Sequence, residues 1–363
     1  MPISDLVERT IKEIAPLDET AMAAARARQD QLTKPLGSLG RLEELSIQLA
    51  GIFGEATPVI RRKTVILAAG DHGVVDEGVS AYPQDVTSAM VMNFLGGGAA
   101  INVLSSHGGA DIIILDAGVA VELPPHPSLR SVKIGWGTGN IAVGPAMTEE
   151  QAIQCLETGI ETAREQIEAG SDLLACGDMG IGNTTPSSAI VSVVTGAHTG
   201  VTTGRGTGLD DAGLAHKASV VQRAIDVNTP DPKDGFDILM KVGGFEIGVL
   251  AGVYLGAAAG KRPVVVDGFI SGAAALIAHA IAPEAGHRFI ASHQSVEPGH
   301  RLALGHMGLE PLLDLGMRLG EGSGAALSMY IIEAAAKCLS DMATFAEAGV
   351  SEKIEDDSQE AAS

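Results

Sequence analysis

The chain has 363 residues, with 24 Lys or Arg against 45 Asp or Glu, so its formal charge at pH 7 is −21. Hydrophobic residues make up 45%, which is enough for a large buried core and excludes a disordered chain. The acidic balance argues against nucleic acid or an anionic membrane as a partner, because clustered Lys and Arg bind both. Only 3% of residues are aromatic and 46 are glycine, which suits helices packed closely on a parallel sheet.

The cysteines and the N-terminus favour a cytoplasmic location. Cys155, Cys176 and Cys338 are far apart and form no CxxC pair, which predicts neither a disulfide framework nor a zinc site. The first residues do not show the basic and then apolar pattern of a secretory signal. The apolar stretch 247–260 is too short to cross a bilayer and predicts a buried helix.

In chain order, the pattern predicts helices first and then alternating strands and helices. Helices are expected over 18–32 and 41–52, separated by the sequence KPLGSLG at 34–40. From Thr64 onward, short β-branched runs alternate with glycine-rich loops and alanine-rich helices. The predicted strands are Thr64–Ala68, Asp111–Leu115, Asp172–Cys176, Pro263–Val266 and His287–Ala291. Helices are expected again over 310–319 and 324–347.

This order predicts an α/β protein with a doubly wound, mostly parallel sheet and a smaller helical domain formed by the N- and C-terminal segments. The α/β domain is expected over 59–302 and the helical domain over 1–58 plus 303–350. The acidic tail, 351–363, is predicted to be disordered.

A polar cluster follows each predicted strand. The clusters are Asp71-His72-Gly73, Asp116-Ala117-Gly118, the sequence GDMG at 177–180, Asp267-Gly268 and Ser292-His293-Gln294. In open parallel sheets, ligands bind at the carboxyl ends of the strands. The sequence therefore predicts an active site at one edge of the sheet.

Two glycine-rich loops are candidate anion sites. GDMGIGNTT at 177–185 leads from a strand into a helix, whose free N–H groups favour a phosphate or carboxylate. It matches neither GxGxxG nor GxxxxGK[ST], so neither a dinucleotide nor a nucleoside triphosphate is implied. GRGTGLDD at 204–211, followed by Lys217, is a candidate second phosphate loop. The alternatives are an ordinary capped turn for the first loop and a flexible surface linker for the second.

Acidic and histidine residues allow two further hypotheses. Asp71, His72, Asp267 and His293 could hold a metal ion, or Asp71 and His72 could simply stabilise a turn. Glu321 lies between two glycines just before an alanine-rich helix. In an apolar cleft its pKa would rise and it could act as a general base, whereas on the surface it would only stabilise the helix N-terminus.

Six motifs together resemble one enzyme family. They are KPLGSLGRLE at 34–43, DHGV at 71–74, GDMGIGNTT at 177–185, VGGFE at 242–246, VDGF at 266–269 and RLGEGSGAAL at 318–327. This set resembles the nicotinate-nucleotide–dimethylbenzimidazole phosphoribosyltransferases over nearly the whole chain. The resemblance implies a Rossmann-like fold and transfer of ribose 5-phosphate from nicotinate mononucleotide to 5,6-dimethylbenzimidazole, giving α-ribazole 5′-phosphate and nicotinate for the lower ligand of cobalamin.

The resemblance also implies roles for particular residues. Glu321 matches the general base, which removes a proton from the benzimidazole while the anomeric carbon inverts. No metal or other cofactor is expected, and the partners are the two small-molecule substrates and a second copy of the chain in a homodimer. The phosphoribosyl and nicotinate site is expected to include Asp178, Gly180, Asn183, Thr184, Gly204, Gly206 and Lys217. The benzimidazole slot is expected to include Tyr82, Met90 and Leu319.

Three other functions compete with this one. A metal-dependent hydrolase would bring Asp71, His72, Asp267 and His293 around one ion. A non-catalytic phosphoribosyl-ligand sensor would keep the glycine loops without needing Glu321 as a base. A dehydrogenase is disfavoured because no GxGxxG follows the first strand.

Overall fold

A computed structural model describes residues 4–351. From residue 352 onward, the tail that was predicted to be disordered lies outside the described residues. Within them, six strands form a single sheet in the order β3-β2-β1-β4-β5-β6, and every neighbouring pair is parallel. The strands are β1 Lys63–Gly70, β2 Ala110–Gly118, β3 Leu129–Ser131, β4 Leu173–Met179, β5 Val264–Val266 and β6 Phe289–Ala291.

This strand order confirms the doubly wound, Rossmann-like prediction. The chain starts in the middle of the sheet, builds outward to β3, and returns to add β4 beside β1. The direction of winding therefore reverses between β1 and β4, and ligands bind in the crevice outside the carboxyl ends of strands at such a point.

The predicted strands are all confirmed, and one strand was missed. Every residue of β1 is buried, which explains its continuous apolar run rather than an alternating one. The missed strand, β3, has only three residues and pairs at the sheet edge with Ile114–Asp116. Its sequence Leu-Arg-Ser contains no β-branched residue, so only the neighbouring strand defines it.

Helices flank the sheet and make up most of the remaining chain. Gly73–Glu77 and Pro283–Arg288 are short 3₁₀ helices. The α-helices are α1 Asp5–Glu13, α2 Glu19–Gln31, α3 Arg41–Phe53, α4 Val86–Leu95, α5 Ala100–Gly108, α6 Glu149–Glu168, α7 Thr184–Thr195, α8 Thr199–Thr202, α9 Asp211–Asn228, α10 Gly235–Val242, α11 Phe245–Ala259, α12 Phe269–Ile281, α13 Pro298–His306, α14 Ser323–Asp341 and α15 Phe345–Ala348.

The buried helix predicted over 247–260 is confirmed as α11, which packs closely on α6. Glycines at the crossing let the two backbones touch. A Cβ added to Gly159 would overlap the carbonyl oxygen of Val249, and one added to Gly252 would overlap that of Leu156. The low aromatic and high glycine content noted in the sequence therefore has a direct packing function here.

The prediction of a helix over 310–319 is wrong. Leu313 N–H donates to Ser292 O, Gln294 N–H donates to Leu313 O, and Val296 N–H donates to Met317 O, so this segment is extended beside residues 291–296. Pro311 and Gly316, which has φ +64°, interrupt any helix here.

The helix expected over 324–347 is two helices, α14 and α15. The second begins at a capping box, in which Thr344 Oγ1 accepts from Glu347 N–H and the Glu347 carboxylate accepts from Thr344 N–H. This reciprocal pair of hydrogen bonds starts a new helix. The helical pattern of the sequence continues across the gap between α14 and α15, which is why it predicted a single helix.

The chain divides into two compact units whose bounds differ from the predicted domains. One unit joins the residues up to Pro16 with Ile60–Tyr330, and the other joins Leu17–Val59 with the chain from Ile331 on. The first helix belongs to the α/β unit because α1 packs on α6 and α11. Residues 303–330 belong there too, through the backbone pairing beside β6. In the helical unit, the Arg28 side chain donates to the carbonyls of Leu339, Ser340 and Met342.

By length and composition, Val86–Gly108 is the one helical segment among residues 4–351 that could cross a membrane. Its backbone turns at Gly97, which has φ +76°, so the segment is divided into α4 and α5.

The close crossing of α6 and α11 gives a test of the packing. Gly159→Ala should destabilise the protein by about 1–3 kcal/mol, because the new methyl group meets backbone atoms that cannot move aside. Gly305→Ala, where a Cβ meets open space in α13, is the matched control and should stabilise by up to about 1 kcal/mol through helix propensity. Urea denaturation measures both. Equal effects for the two variants would contradict the packing argument.

Candidate active site

A cavity of about 490 Å³ lies beyond the carboxyl ends of β4, β5 and β6. Its remaining walls come from the loop and helix after β1, from the second glycine-rich loop at Gly206 and Thr207, and from the segment before α14. The predicted site residues that line it are Tyr82, Met90, Asp178, Gly180, Asn183, Thr184, Gly206, Leu319 and Glu321. Gly204 and Lys217 are outside the lining but contact it, against Glu297 and Thr184 respectively.

The polar clusters at the strand ends contribute unequally. Asp178, Gly268 and His293, from the clusters after β4, β5 and β6, line the cavity. The clusters after β1 and β2 are used within the fold instead: Asp71 accepts a hydrogen bond from Ala120 N–H, and Asp116 accepts one from Val119 N–H. Three of the five clusters therefore meet at one cavity, and the other two stabilise the fold.

Glu321 is held in an uncommon backbone conformation. Its φ of +64° is in the left-handed region, and its neighbours Gly320 and Gly322 have φ +83° and +88°. Three successive residues of this kind make a tight turn that only flanking glycines permit. The turn passes directly over β4, because a Cβ at Gly177 would overlap the Glu321 carbonyl oxygen.

The Glu321 side chain is buried, with 5% exposure, although it lines the cavity. A hydrogen bond from the Ile101 backbone holds the carboxylate, while Oε2 has no partner among the residues the structure describes. Burial raises the pKa of this carboxyl above its ordinary value. A buried carboxylate with a free oxygen and a raised pKa can accept a proton from a bound substrate.

Asp267 positions the turn that carries Glu321. It follows β5, and its Oδ2 accepts from Gly322 N–H at 3.2 Å while its Oδ1 accepts from Ala325 N–H at 2.8 Å. Burial raises its pKa to about 7, although hydrogen bonds from the first turn of α14 oppose that rise. The sequence placed Asp267 in a polar cluster after a strand and in the VDGF motif, and the only individual role it suggested was that of a metal ligand. Its role at the start of α14 depends on a contact across 55 residues and had no local signal.

Asp178 lies at the end of β4, where Asn183 Nδ2 donates to its Oδ2 at 3.0 Å. Burial, and then the charges of Asp267 and Glu246, raise the pKa of Asp178 well above its ordinary value. Burial and these neighbouring charges therefore favour the protonated form of the Asp178 carboxyl, which could donate a hydrogen bond.

The two glycine-rich loops meet at the side of the cavity. Lys217, from α9, donates to Thr184 Oγ1 at 2.6 Å, at the start of α7. Burial lowers the pKa of Lys217 to about 8, against the opposite effect of Glu297. Gly206 N–H donates to Glu297 Oε1 at 3.0 Å. Glu297 was missed in the sequence, where it is only an acidic residue before Pro298.

Apolar side chains line the rest of the cavity. Tyr82 and Leu319 are 54% and 55% exposed, and Met90 lies in the same lining. The Tyr82 loop is held near the second glycine loop by the hydrogen bond from Ala81 N–H to Thr207 Oγ1, at 3.0 Å. Such half-exposed apolar surfaces suit a flat aromatic ligand.

The residues of the metal hypothesis do not converge. His72 Nε2 pairs with Glu246 Oε1 at 2.6 Å. His293 Nδ1 lies 4.0 Å from Asp267 Oδ1, but both Asp267 oxygens accept backbone N–H groups. Throughout residues 4–351, no group of three or more His, Cys, Asp or Glu side chains is arranged to hold a metal ion. The ligand cluster required by the hydrolase hypothesis is thus not formed.

Comparison with known proteins agrees with this geometry. A family model described as "Phosphoribosyltransferase" matches residues 14–350. The nicotinate-nucleotide–dimethylbenzimidazole phosphoribosyltransferase of Roseiflexus sp. (strain RS-1) is 58% identical over 96% of this chain and 99% of its own length. The enzyme of the same name from Desulforudis audaxviator is 55% identical, over 97% and 100%. The crystal structure of CobT from Thermus thermophilus superposes with a TM-score of 0.89 and 48% identity, covering 92% of this chain and 100% of that one.

The fold, the cavity and the matched family model define an enzyme that transfers a pentosyl group, a phosphoribosyltransferase. With relatives this similar over their full lengths, the chain belongs to the nicotinate-nucleotide–dimethylbenzimidazole phosphoribosyltransferase family.

Asp267 gives a test by pH. Its pKa is raised from 3.8 to about 7 on folding, so the folded state binds more protons between these values and stability falls as pH rises through them. In Asp267→Asn, unfolding free energy should decline less steeply between pH 4 and 7, by at most about 1.4 kcal/mol per pH unit. Denaturant titrations across this range measure the slope. An unchanged slope would show that Asp267 is ionised in both states.

Proposed function

We propose that this enzyme transfers ribose 5-phosphate from nicotinate mononucleotide to 5,6-dimethylbenzimidazole, giving α-ribazole 5′-phosphate and nicotinate for cobalamin synthesis. The observation that carries the proposal is Glu321, a buried carboxylate with one oxygen free of protein partners in the described chain, facing a cavity with anion-binding loops on one side and apolar surfaces on another. The names of the full-length relatives support the same substrates.

Glu321 acts as the general base in this proposal. One benzimidazole nitrogen attacks the anomeric carbon, and the proton on the other nitrogen leaves as positive charge develops. The free Oε2 of Glu321 takes that proton. Attack from the face opposite nicotinate converts the β-nucleotide into the α-product by inversion through an oxocarbenium-like state. Nicotinate leaves as a neutral ring from a cationic pyridinium, so neither a metal nor another cofactor has a required role.

The two glycine-rich loops hold the nucleotide in this proposal. Gly180, Asn183 and Thr184, at the start of α7, face the phosphoribosyl group with their backbone N–H groups and side chains. Lys217 supplies positive charge from behind Thr184. Gly204 and Gly206 belong to the second loop, and Asp178 donates to or accepts from the sugar or ring according to its protonation.

The benzimidazole lies between Tyr82, Met90 and Leu319. These side chains present apolar surface on the cavity wall, and Leu319 is two residues before Glu321. A flat ring placed against Leu319 therefore has its edge nitrogens within reach of the same turn that carries the base.

The direct test is incubation of the purified enzyme with nicotinate mononucleotide and dimethylbenzimidazole, with the product identified by mass and anomeric configuration. We expect α-ribazole 5′-phosphate and one nicotinate per product. Absence of product under all conditions would overturn the proposal, and nucleotide binding without turnover would favour the sensor function.

Glu321→Gln should lower kcat by roughly 10²–10⁴-fold, the usual contribution of a positioned base, while ligand affinities change little. The wild-type rate should fall at acid pH with an apparent pKa above that of an ordinary glutamate, because burial raises the pKa of this group. Steady-state kinetics over pH measure both effects. An unchanged kcat in the variant would move the proton transfer to another residue or to water.

Lys217→Ala should weaken nucleotide binding more than it slows turnover. Its interaction with the phosphate exists in both the ground and transition states, so KM for nicotinate mononucleotide should rise more than kcat falls. Lys233→Ala removes an exposed lysine outside the cavity lining and is the matched control. A rise in KM for dimethylbenzimidazole instead would place the phosphate elsewhere.

We also propose a homodimer of about twice 37.0 kDa in the cytoplasm. Exposed apolar side chains on α5 and α14, such as Val103 and Tyr330, offer surface for a two-fold contact. Sedimentation equilibrium at low micromolar concentration should give the dimer mass, and deletion of the acidic residues from Ser351 should leave it unchanged. A fully active monomer would contradict this proposal.

A further inference from the structure

We propose that Glu297 and the 5′-phosphate of the nucleotide compete for the same hydrogen-bond donors, so that binding of the phosphate displaces the Glu297 carboxylate from the second glycine loop. This inference rests on the proposed function for the identity of the ligand. It assigns to Glu297 a role in setting nucleotide affinity, separate from the base at Glu321.

The position of the carboxylate carries the inference. Glu297 is 7% exposed and lines the cavity, and its Oε1 accepts from Gly206 N–H at 3.0 Å. Gly206 and Thr184 lie in the same lining, and Thr184 holds Lys217 Nζ at 2.6 Å. The backbone and lysine donors that suit a phosphate thus already face a carboxylate of the protein.

This arrangement leaves the carboxylate incompletely satisfied. Oε2 of Glu297 is buried and has no hydrogen-bond partner within residues 4–351. It is packed against Gly204, where an added Cβ would overlap it. A buried, unpaired carboxylate oxygen is costly, and a phosphate with three acceptor oxygens can use more donors at the same place.

Charge favours exchange over joint occupation. The charge of Glu297 raises the pKa of Lys217, so the two groups interact. The single positive charge of Lys217 can balance one neighbouring negative charge far better than two. A phosphate placed beside an ionised Glu297 would meet direct repulsion across the Gly206 loop. Displacement of the carboxylate removes that repulsion.

The displaced carboxylate has a favourable alternative position. Glu297 is itself the N-cap residue of α13, a nine-residue helix, and no side chain in the described part of the chain caps that helix end. Pro298 has no N–H, and His300 N–H donates to Glu297 O. Rotation about the Glu297 side-chain bonds would therefore bring the carboxylate toward Gly299 N–H in that first turn. The backbone need not move, since Ser295 Oγ continues to accept from Glu297 N–H.

The experiment measures binding of inorganic phosphate and of nicotinate mononucleotide by isothermal titration calorimetry, so it does not depend on turnover. Glu297→Gln keeps the side-chain size and removes the charge, and Glu297→Ala vacates the loop. Both variants should bind phosphate and the nucleotide roughly tenfold more tightly than wild type, the value of one charge-assisted hydrogen bond. Glu310→Gln removes an exposed negative charge outside the cavity and should leave the affinity unchanged.

Nicotinate riboside, which lacks the phosphate, separates competition from other roles. Its affinity should be the same in wild type and in both Glu297 variants. Weaker binding of phosphate, or of the riboside, in the variants would overturn the inference and make Glu297 a direct ligand of the nucleotide. Melting temperatures confirm that each variant is folded. Tighter phosphate binding in variants of a protein that makes no α-ribazole 5′-phosphate would leave the competition intact and refute only the proposed reaction.

Discussion

The hydrogen bonds from Gly322 and Ala325 to the Asp267 carboxylate connect the sheet to the turn that carries Glu321. They attach the start of α14 to the end of β5, and the turn before α14 then crosses β4 where Gly177 leaves room for it. Glu321 lines the cavity as a result, in a backbone conformation that an isolated chain would avoid. Without this attachment, a Gly-Glu-Gly segment has no single conformation, and the Glu321 carboxylate has no fixed position.

The same burial that positions the site also changes its chemistry. Burial raises the pKa of Asp178, Asp267 and Glu321, and the charge of Glu321 further raises the pKa of the two aspartates. Carboxyls whose pKa values are raised to different extents can include a proton donor and a proton acceptor in one cavity. In the proposed function, an ionised carboxyl of this group would also stabilise the positive charge that develops on the sugar.

The anionic part of the nucleotide faces the opposite side of the cavity in the proposed function. There Lys217 supplies positive charge, and Thr184 and the N–H groups of two loops supply hydrogen-bond donors. The Glu297 carboxylate occupies one of these donors, the Gly206 N–H. The phosphoribosyl group would then lie between donors at one end and carboxyls at the other. The leaving group and the base would then both lie next to the anomeric carbon, where positive charge develops. The donors would bind the phosphate, and the carboxyls would stabilise that positive charge.

Much of the fold and part of the site could be predicted from the sequence because their signals are local. Short β-branched runs predicted five strands, and the glycines around Glu321 singled it out as either a base in an apolar cleft or a residue that stabilises the helix N-terminus. The tertiary structure alone decided which residues meet. Asp267 joins a turn 55 residues away, Glu297 lies over Gly206, and residues 310–319 are extended because backbone partners beside β6 outweigh their local pattern. Such contacts form because the sheet brings segments that are distant in sequence close together in space. Neither composition nor spacing along the chain indicates which segments will meet.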